Sequence, residues 1–413
     1  EKTSRKAVCP LLLTILIESM GFAMLTPLLA VEFAPDSSSP LGVGISEDAR
    51  YIIYGFATGL YPAMMFFGAP LLGRLSDQFG RKALLLVCSA GIVVSYMVLS
   101  FAFMSGSIVL LMAGRILGGA TAAGQPISLA ALVDVSAPAN KDFWLSMGML
   151  GSALGFVVGP TVGAFFSDNR IASEFNTRTP LLITGLLGCF NFALLWAFFR
   201  EPRQSQAGRV LRVGPSWASA IFSLGEAFRR SGLRRISLVF LLQEMAWGAY
   251  FFFVPTFLID QFEATGTASS LFMAVMGIGF CMSFAVVMPV LTKQFTCRAI
   301  TSGGLLAFLI LVAISALSPN IFLEWVVVLP ISVASAVSYG ALIILFTDHS
   351  LEDTKGEIMG ITAALSAVAF GAISFIGGGL AALDERAPLI CACILTTLAC
   401  VAHHVQLHKT VQQ

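Results

Sequence analysis

Long apolar runs alternate with short polar breaks along almost the whole 413-residue chain. A helix needs about 20 mostly apolar residues to cross the hydrocarbon core of a bilayer. Inside that core only a helix satisfies the backbone hydrogen bonds within its own segment. The pattern therefore predicts an all-α membrane protein with twelve transmembrane helices, at roughly 8–34, 51–72, 83–104, 107–135, 143–167, 180–199, 234–260, 268–292, 299–318, 321–347, 357–382 and 387–407.

Composition supports lipid as the main solvent. The chain is 57% hydrophobic and 11% charged, with a mean hydropathy of +0.87. Soluble domains carry about 25% charged residues, so this charge is too sparse to cover a soluble globule. The net charge of +1 gives no indication of a nucleic-acid partner. We expect the chain to be a monomer in the lipid bilayer.

The basic residues predict the orientation. With the N-terminus inside, the inner segments hold nineteen Lys and Arg residues and the outer loops hold four. Cytoplasmic loops carry the excess of basic residues, so both termini are expected in the cytoplasm, most simply at a bacterial inner membrane. The first run resembles a signal peptide only in its basic start, because it is too long, carries Glu18 and lacks a cleavage site.

The longest polar break, 200–233, divides the chain into two halves. It predicts an N-terminal six-helix bundle over 1–199, a cytoplasmic linker, and a C-terminal six-helix bundle over 234–413. Within the break, 216–230 has the pattern of an amphipathic helix lying on the inner leaflet, and a plain linker is the alternative. The apolar residues of that helix are Trp217, Ile221, Leu224 and Phe228.

The two halves carry weak repeats, which indicate pseudo-symmetric bundles. The matching positions are Asp134 with Asp348, Glu18 before Pro27 with Glu244 before Pro255, and Gly148 before Gly159 with Gly360 before Gly371. Transporters built from such repeats bind their substrate near the bilayer midplane, between the halves.

A charged string, GRLSDQFGRK at residues 73–82, follows the second run. Its two glycines, one acid and three bases predict a tight loop at the membrane surface. The string resembles the G-x-x-x-D-R-x-G-R-K/R loop between helices two and three of the major facilitator superfamily. Gln78 departs from this pattern, and the matching residues are Gly73, Asp77, Gly80, Arg81 and Lys82. The resemblance implies the major facilitator fold and an inner gate in which Asp77 and Arg81 join Asp134.

Other segments resemble antiporters of the same superfamily. Residues 155–164 are similar to the helix-five motif G-x-x-x-G-P-x-x-G-G through Gly155, Gly159, Pro160 and Gly163, with Ala164 in the last position. By spacing alone this pattern is ordinary close packing of small residues. Residues 18–27 resemble span one of tetracycline–proton antiporters, which usually have Asp where this chain has Glu18. Arg115 begins a stretch that resembles the R-x-x-Q-G of span four.

Ionisable residues inside the spans are the candidate coupling groups, because charge in hydrocarbon is costly. At 1.5 Å per residue, Glu18 and Arg115 both lie near the midplane, as does Glu244. We expect these three to couple protons, and expect Glu18, Gln125, Glu244 and Tyr339 to contact the solute. A static Glu18–Arg115 ion pair without a role in coupling is the alternative.

Three functions remain open at this stage. The first is a secondary active transporter that exports an amphipathic small molecule, such as a drug, metabolite or siderophore, against protons by alternating access. The second is an importer or facilitator of a polar solute on the same fold. The third is a membrane sensor without transport, which the intact charges of the loop and spans disfavour. No enzyme active site, phosphate loop, cofactor or metal site is predicted.

Overall fold

A computed structural model describes residues 5–35, 37, 39–137, 140–201, 216–229, 233–348 and 355–411. Twelve helices in these ranges are long and apolar enough to cross a membrane, which confirms the predicted all-α fold class. The helices are α1 (Arg5–Phe33), α2 (Glu47–Phe79), α3 (Arg81–Ser105), α4 (Ile108–Ala120), α5 (Gly124–Val135), α6 (Lys141–Ser167), α7 (Thr179–Phe198), α8 (Ser216–Arg229), α9 (Arg234–Phe262), α10 (Gly266–Met282), α11 (Met288–Gln294), α12 (Cys297–Ala316), α13 (Ile321–Asp348), α14 (Lys355–Ala381) and α15 (Ala387–Val411). A π-helical turn, Ser283–Val287, joins α10 to α11.

The charged string at 73–82 is not the tight loop that the sequence predicted. Helix α2 continues through it to Phe79, and only Gly80 interrupts the helical conformation before α3 begins. Gly80 has φ = 98°, a conformation that glycine adopts without the steric cost other residues meet. A helix can extend beyond the hydrocarbon into water, so the polar residues do not have to end it.

The fourth span is broken, although the sequence predicted one continuous helix over 107–135. Helix α4 ends at Ala120 and α5 starts at Gly124. Pro126 lies in the first turn of α5, where its missing N–H is tolerated, and further inside a helix it would remove a hydrogen bond. The break therefore leaves the N-terminal amides of α5 in need of acceptors from elsewhere.

By its internal contacts the chain divides into two compact units. Unit 1 comprises Glu1–Ile45, Met64–Trp217 and Thr265–Ala274, and unit 2 comprises Ser46–Ala63, Ala218–Ala264 and Val275–Gln413. The units thus follow the two halves of the chain except at α2 and α10, which each contribute to both.

Unit 1 is built on the contact between α1 and α6. A Cβ on Gly155 would lie 2.9 Å from the Leu16 carbonyl oxygen, and a Cβ on Gly159 would lie 3.0 Å from the Met20 Cα. Glycine therefore lets the two backbones approach closely, which is how small residues pack helices within membranes.

Unit 2 has a core rich in aromatic side chains around α9. Trp247 packs edge-on against Phe280, with ring centroids 5.1 Å apart. Helix α8, predicted as amphipathic, also contributes to this unit. Its Leu224 and Phe228 pack against the protein core, whereas Ile221 is 51% exposed, so only part of the apolar face remains for the predicted membrane contact.

Candidate functional site

Glu18 on α1 is buried, and its carboxylate caps the broken fourth span. One oxygen accepts the backbone N–H of Gly124 at 2.8 Å, and the other accepts that of Gln125 at 2.7 Å. These are the first two amides of α5, which have no partner within their own helix. The positive end of the helix dipole favours a carboxylate at this position. The Glu18 side chain thus binds the backbone of α5, an interaction that the sequence did not reveal.

Gly124 permits this close approach. A Cβ at this position would lie 3.0 Å from Glu18 Cδ and 2.8 Å from the Thr14 methyl carbon, so a larger residue would displace the carboxylate. The glycine is therefore part of the carboxylate site.

A network of hydroxyl and amide groups surrounds the Gln125 side chain, next to the amides that Glu18 binds. The side-chain amide of Gln125 donates to the Ser152 hydroxyl at 3.2 Å, and the hydroxyls of Ser19 and Ser152 lie 2.9 Å apart. Ser19 also donates to the Gln125 side-chain oxygen at 3.4 Å. The predicted solute ligand Gln125 therefore links α1, α5 and α6 through its side chain.

Arg115 on α4 is buried in the same part of unit 1. Its charge and that of Glu18 both act on the hydroxyl of Tyr96, which lies against Gly21 of α1. The structure thus brings Arg115 and Glu18 to one tyrosine, while the hydrogen bonds to the Glu18 carboxylate come from α5.

Glu244 on α9 is buried in unit 2. Its carboxylate accepts a hydrogen bond of 2.7 Å from the Ser366 hydroxyl on α14. Tyr339 on α13 interacts electrostatically with this carboxylate, and its ring packs against Phe240, with centroids 5.7 Å apart. Two of the predicted solute ligands, Glu244 and Tyr339, therefore lie in one neighbourhood of unit 2.

The three predicted gate residues form one ionic cluster at the α2–α3 turn. Arg81 Nη1 lies 2.7 Å from Asp77, and Arg81 Nε lies 3.2 Å from Asp134 at the end of α5. The same guanidinium donates to the Ser76 hydroxyl at 2.6 Å. Its gating role remains a prediction.

The other residues of the charged string have different neighbours. Glu201, just after α7, accepts the backbone N–H groups of Arg81 at 2.7 Å and Lys82 at 2.8 Å, so it caps the N-terminus of α3. A Cβ on Gly80 would lie 2.8 Å from the Glu201 carboxyl carbon. The Lys82 ammonium donates to the Trp196 carbonyl oxygen at 2.7 Å. Sequence reasoning missed Glu201.

Two further buried acids lie near helix ends, and the sequence analysis did not select them. Glu32 at the end of α1 accepts hydrogen bonds from the hydroxyls of Ser39 and Thr177. Glu324 in the first turn of α13 has no solvent exposure and accepts one from Ser315. An acid inside the apolar run 321–347 was a signal available in the sequence.

Asp168 follows α6 and lies in a connection between spans. The backbone N–H of Arg170 donates to one carboxylate oxygen at 2.9 Å, and the Thr267 hydroxyl donates to the other at 2.8 Å. These two hydrogen bonds, with the Arg170 amide the stronger influence, hold the pKa of Asp168 below its usual value.

The described residues hold twelve helices long and apolar enough to cross a membrane, with buried carboxylates among them, as in a multi-pass membrane protein. The sequence profile of the Major Facilitator Superfamily matches residues 11–376, and the chain belongs to this superfamily. Its members are transporters rather than enzymes.

Relatives by sequence include tetracycline resistance proteins. The chain is 25% identical to the class D protein of Salmonella ordonez over 387 residues, which cover 88% of this chain and 86% of that protein. It is 29% identical to the class B protein of Escherichia coli over 204 residues, which cover 48% of this chain and 45% of that protein.

Solved structures share the fold. The human organic anion transporter MFSD10 (TETRAN) superposes with a TM-score of 0.68 at 18% identity, covering 98% of this chain and all of that one. A D-xylose–proton symporter gives a TM-score of 0.75 at 14% identity, with coverage of 96% and 97%. At these identities the likeness concerns the fold alone.

Proposed function

We propose that the protein exports an amphipathic small molecule in exchange for protons by alternating access. The observation that carries this proposal is the buried Glu18 carboxylate at the break of the fourth span. The tetracycline resistance proteins among its relatives support a drug or drug-like metabolite as the solute. Proton movement down its gradient supplies the free energy, so the proposal requires no cofactor.

Glu18 is suited to exchange a proton for a change in helix contacts. As a carboxylate it offers an acceptor to each of two backbone amides. When protonated, one oxygen carries a hydrogen and becomes a donor, so the carboxyl group no longer satisfies both amides equally well. Proton binding therefore weakens the hold of α1 on α5, and proton release restores it.

The charges of the proposed coupling residues favour a particular class of solute. Glu18 and Glu244 with Arg115 carry a formal charge of −1 when all three are ionised. Such charge favours cationic or neutral amphipathic solutes and disfavours simple anions. We propose Glu18, Gln125, Glu244 and Tyr339 as the groups that contact the solute.

The proposal includes a bacterial inner membrane and cytoplasmic termini, from the distribution of basic residues. Transport direction does not follow from the fold, because the same fold serves a D-xylose–proton symporter. An importer of a polar solute is therefore the second candidate, and direction is what the following experiment decides.

The test is flux in proteoliposomes that contain the purified protein and experience an imposed pH gradient. The panel comprises tetracycline, other cationic and neutral amphipathic compounds, sugars and organic anions, with protein-free liposomes as the control. We expect an amphipathic compound to accumulate in vesicles with an acidic lumen, and an uncoupler to abolish that accumulation. Accumulation of a solute on the alkaline side, down the proton gradient, would instead identify a symporter.

A further inference from the structure

Glu324 is a buried acid of unit 2 that the proposed coupling scheme does not use. Its side chain has no solvent exposure. One carboxyl oxygen accepts a hydrogen bond from Ser315 Oγ at 2.8 Å, and the other oxygen is buried without a hydrogen-bond partner. Buried polar atoms are nearly always hydrogen-bonded, so an ionised carboxylate is poorly accommodated at this position.

A tyrosine hydroxyl lies beside the same serine. The hydroxyl of Tyr250 on α9 is fully buried and makes no hydrogen bond of normal geometry. It interacts electrostatically with Glu324 and adjoins Ser315. The site thus combines a carboxyl, a phenol and a serine hydroxyl, with Phe308 packed against the tyrosine ring.

No basic side chain neutralises this carboxyl among its interactions in the described residues. The groups that face it are Tyr250 from α9, Ser315 from α12, and Ser318 from the connection before α13. Burying an ionised carboxylate without a partner cation is strongly unfavourable. The carboxyl group therefore requires a proton or a bound metal cation.

The oxygen count favours the proton. A metal cation in a protein requires several oxygen ligands, whereas a proton requires only one. Ser315 donates its hydrogen to Glu324, and Ser318 donates to the Asn320 carbonyl oxygen at 2.8 Å. The Glu324 carboxyl and the hydroxyls of Tyr250, Ser315 and Ser318 offer fewer oxygens than the roughly six to eight that Ca²⁺ takes.

The site is distinct from Glu244 although one helix contributes to both. Tyr250 follows Glu244 by six residues on α9, about 9 Å of helix rise. Glu324 lies three residues after the first residue of α13, about 5 Å, whereas Glu244 lies ten residues into α9, about 15 Å. One acid thus lies near a helix end and the other deep within its span.

We infer that Glu324, Ser315 and Tyr250 form a second proton-binding site in unit 2, separate from Glu244. The inference stands apart from the proposed function, since a protonated carboxyl group is detectable in a protein that carries no solute.

Infrared difference spectroscopy of the purified protein, in a detergent without ester groups, tests this inference. At neutral pH we expect a carbonyl band of a protonated carboxyl group that is present in wild type and lost in E324Q. The exposed acid Glu263 provides the matched control, because E263Q should retain the band. Ser315→Ala removes the hydroxyl that contacts the carboxyl group, so the band should move to higher frequency.

Two results would overturn the inference. One is an identical carbonyl region in wild type and E324Q, with the thermal unfolding of E324Q showing that it is folded. The other is loss of the band when sodium chloride replaces choline chloride at constant pH, which would identify a cation site. If E324Q does not fold, the frequency shift in S315A decides the question.

Discussion

The buried acids of the two units are held in different ways. In unit 1, Glu18 accepts hydrogen bonds from two backbone amides of α5, which is a separate helix because the fourth span is broken. In unit 2, Glu244 accepts a hydrogen bond from the side-chain hydroxyl of Ser366. The counterpart of the broken span in this unit, α13, is one continuous helix. When a carboxylate bonded to backbone amides takes up a proton, the helix that carries those amides can move. When a carboxylate bonded to a rotatable hydroxyl does so, a change in that side chain alone is sufficient. We therefore propose that the coupling step lies chiefly in unit 1.

The largest difference between the units should come from neutralising each acid. Glu18→Gln should reduce proton-driven flux to the level of protein-free liposomes, because the amide cannot exchange a proton. Glu244→Gln should weaken the flux of cations more than that of neutral solutes, because a negative charge proposed to contact the solute is lost. Flux in the proteoliposome assay measures both.

Coupling would belong to unit 2 rather than unit 1 if Glu244→Gln abolished all proton-driven flux while Glu18→Gln retained it. Equal amounts of folded protein in the vesicles, checked by size-exclusion chromatography before reconstitution, are the control for both variants.

A second prediction concerns the repeated glycines Gly159 and Gly371. A Cβ at Gly159 would overlap the Met20 backbone, whereas one at Gly371 would lie 3.5 Å from Ala63, an ordinary contact. Gly159→Ala should cost about 1–3 kcal/mol through overpacking, and Gly371→Ala should change stability by less than about 0.5 kcal/mol. Thermal unfolding of the two variants measures this difference, and equal loss of stability would show that the units pack alike.

A smaller effect should distinguish the caps of two corresponding helices. Helix α3 is capped by Glu201, which is distant in sequence, whereas α12 is capped locally by the Thr296 hydroxyl, which accepts a hydrogen bond from the Ala299 N–H at 3.3 Å. Each alanine variant should cost about 1 kcal/mol. Only Glu201→Ala should also speed hydrogen exchange in a distant segment, at Arg81 and Lys82. Unchanged exchange there would remove Glu201 as the cap.

What the sequence predicts well depends on the range of the interaction. The twelve spans follow from local hydrophobic patterns, and Asp77 and Arg81 are only four residues apart in the sequence. Glu18 and Gly124 are separated by 106 residues, and Glu201 and Arg81 by 120. Contacts at such separation leave no periodic signal. Neither the binding of the Glu18 carboxylate to the amides of α5 nor the capping of α3 by Glu201 could therefore be predicted from the pattern. Pro126 was a local signal for the break in the fourth span.

The smallest predicted effect concerns two matching turns. Asp168 and Asp384 each accept the backbone N–H two residues later, from Arg170 at 2.9 Å and Arg386 at 2.7 Å. Asp168 also accepts the Thr267 hydroxyl, and its pKa is lowered. A lowered pKa means that the stabilisation is present above the unfolded pKa, about 3.9, and is lost as pH falls through the folded value.

Thr267→Val should therefore raise the pH at which the Arg170 amide becomes open to hydrogen exchange on acidification. The Arg386 amide, measured in the same sample, is the internal control and should not change. If the Arg170 amide became open to exchange at the same pH in wild type and variant, Thr267 would have no influence on Asp168.

The central claim is that solute and proton exchange through Glu18, and the most direct measurement is of the proton itself. Vesicles without an initial pH gradient receive an inward gradient of the compound with the largest driven flux, and a trapped dye reports the pH of the lumen. Solute entry through wild type should drive protons out and make the lumen alkaline, and Glu18→Gln should abolish that change. Solute entry through wild type without a pH change, or the same change in Glu18→Gln, would contradict the account.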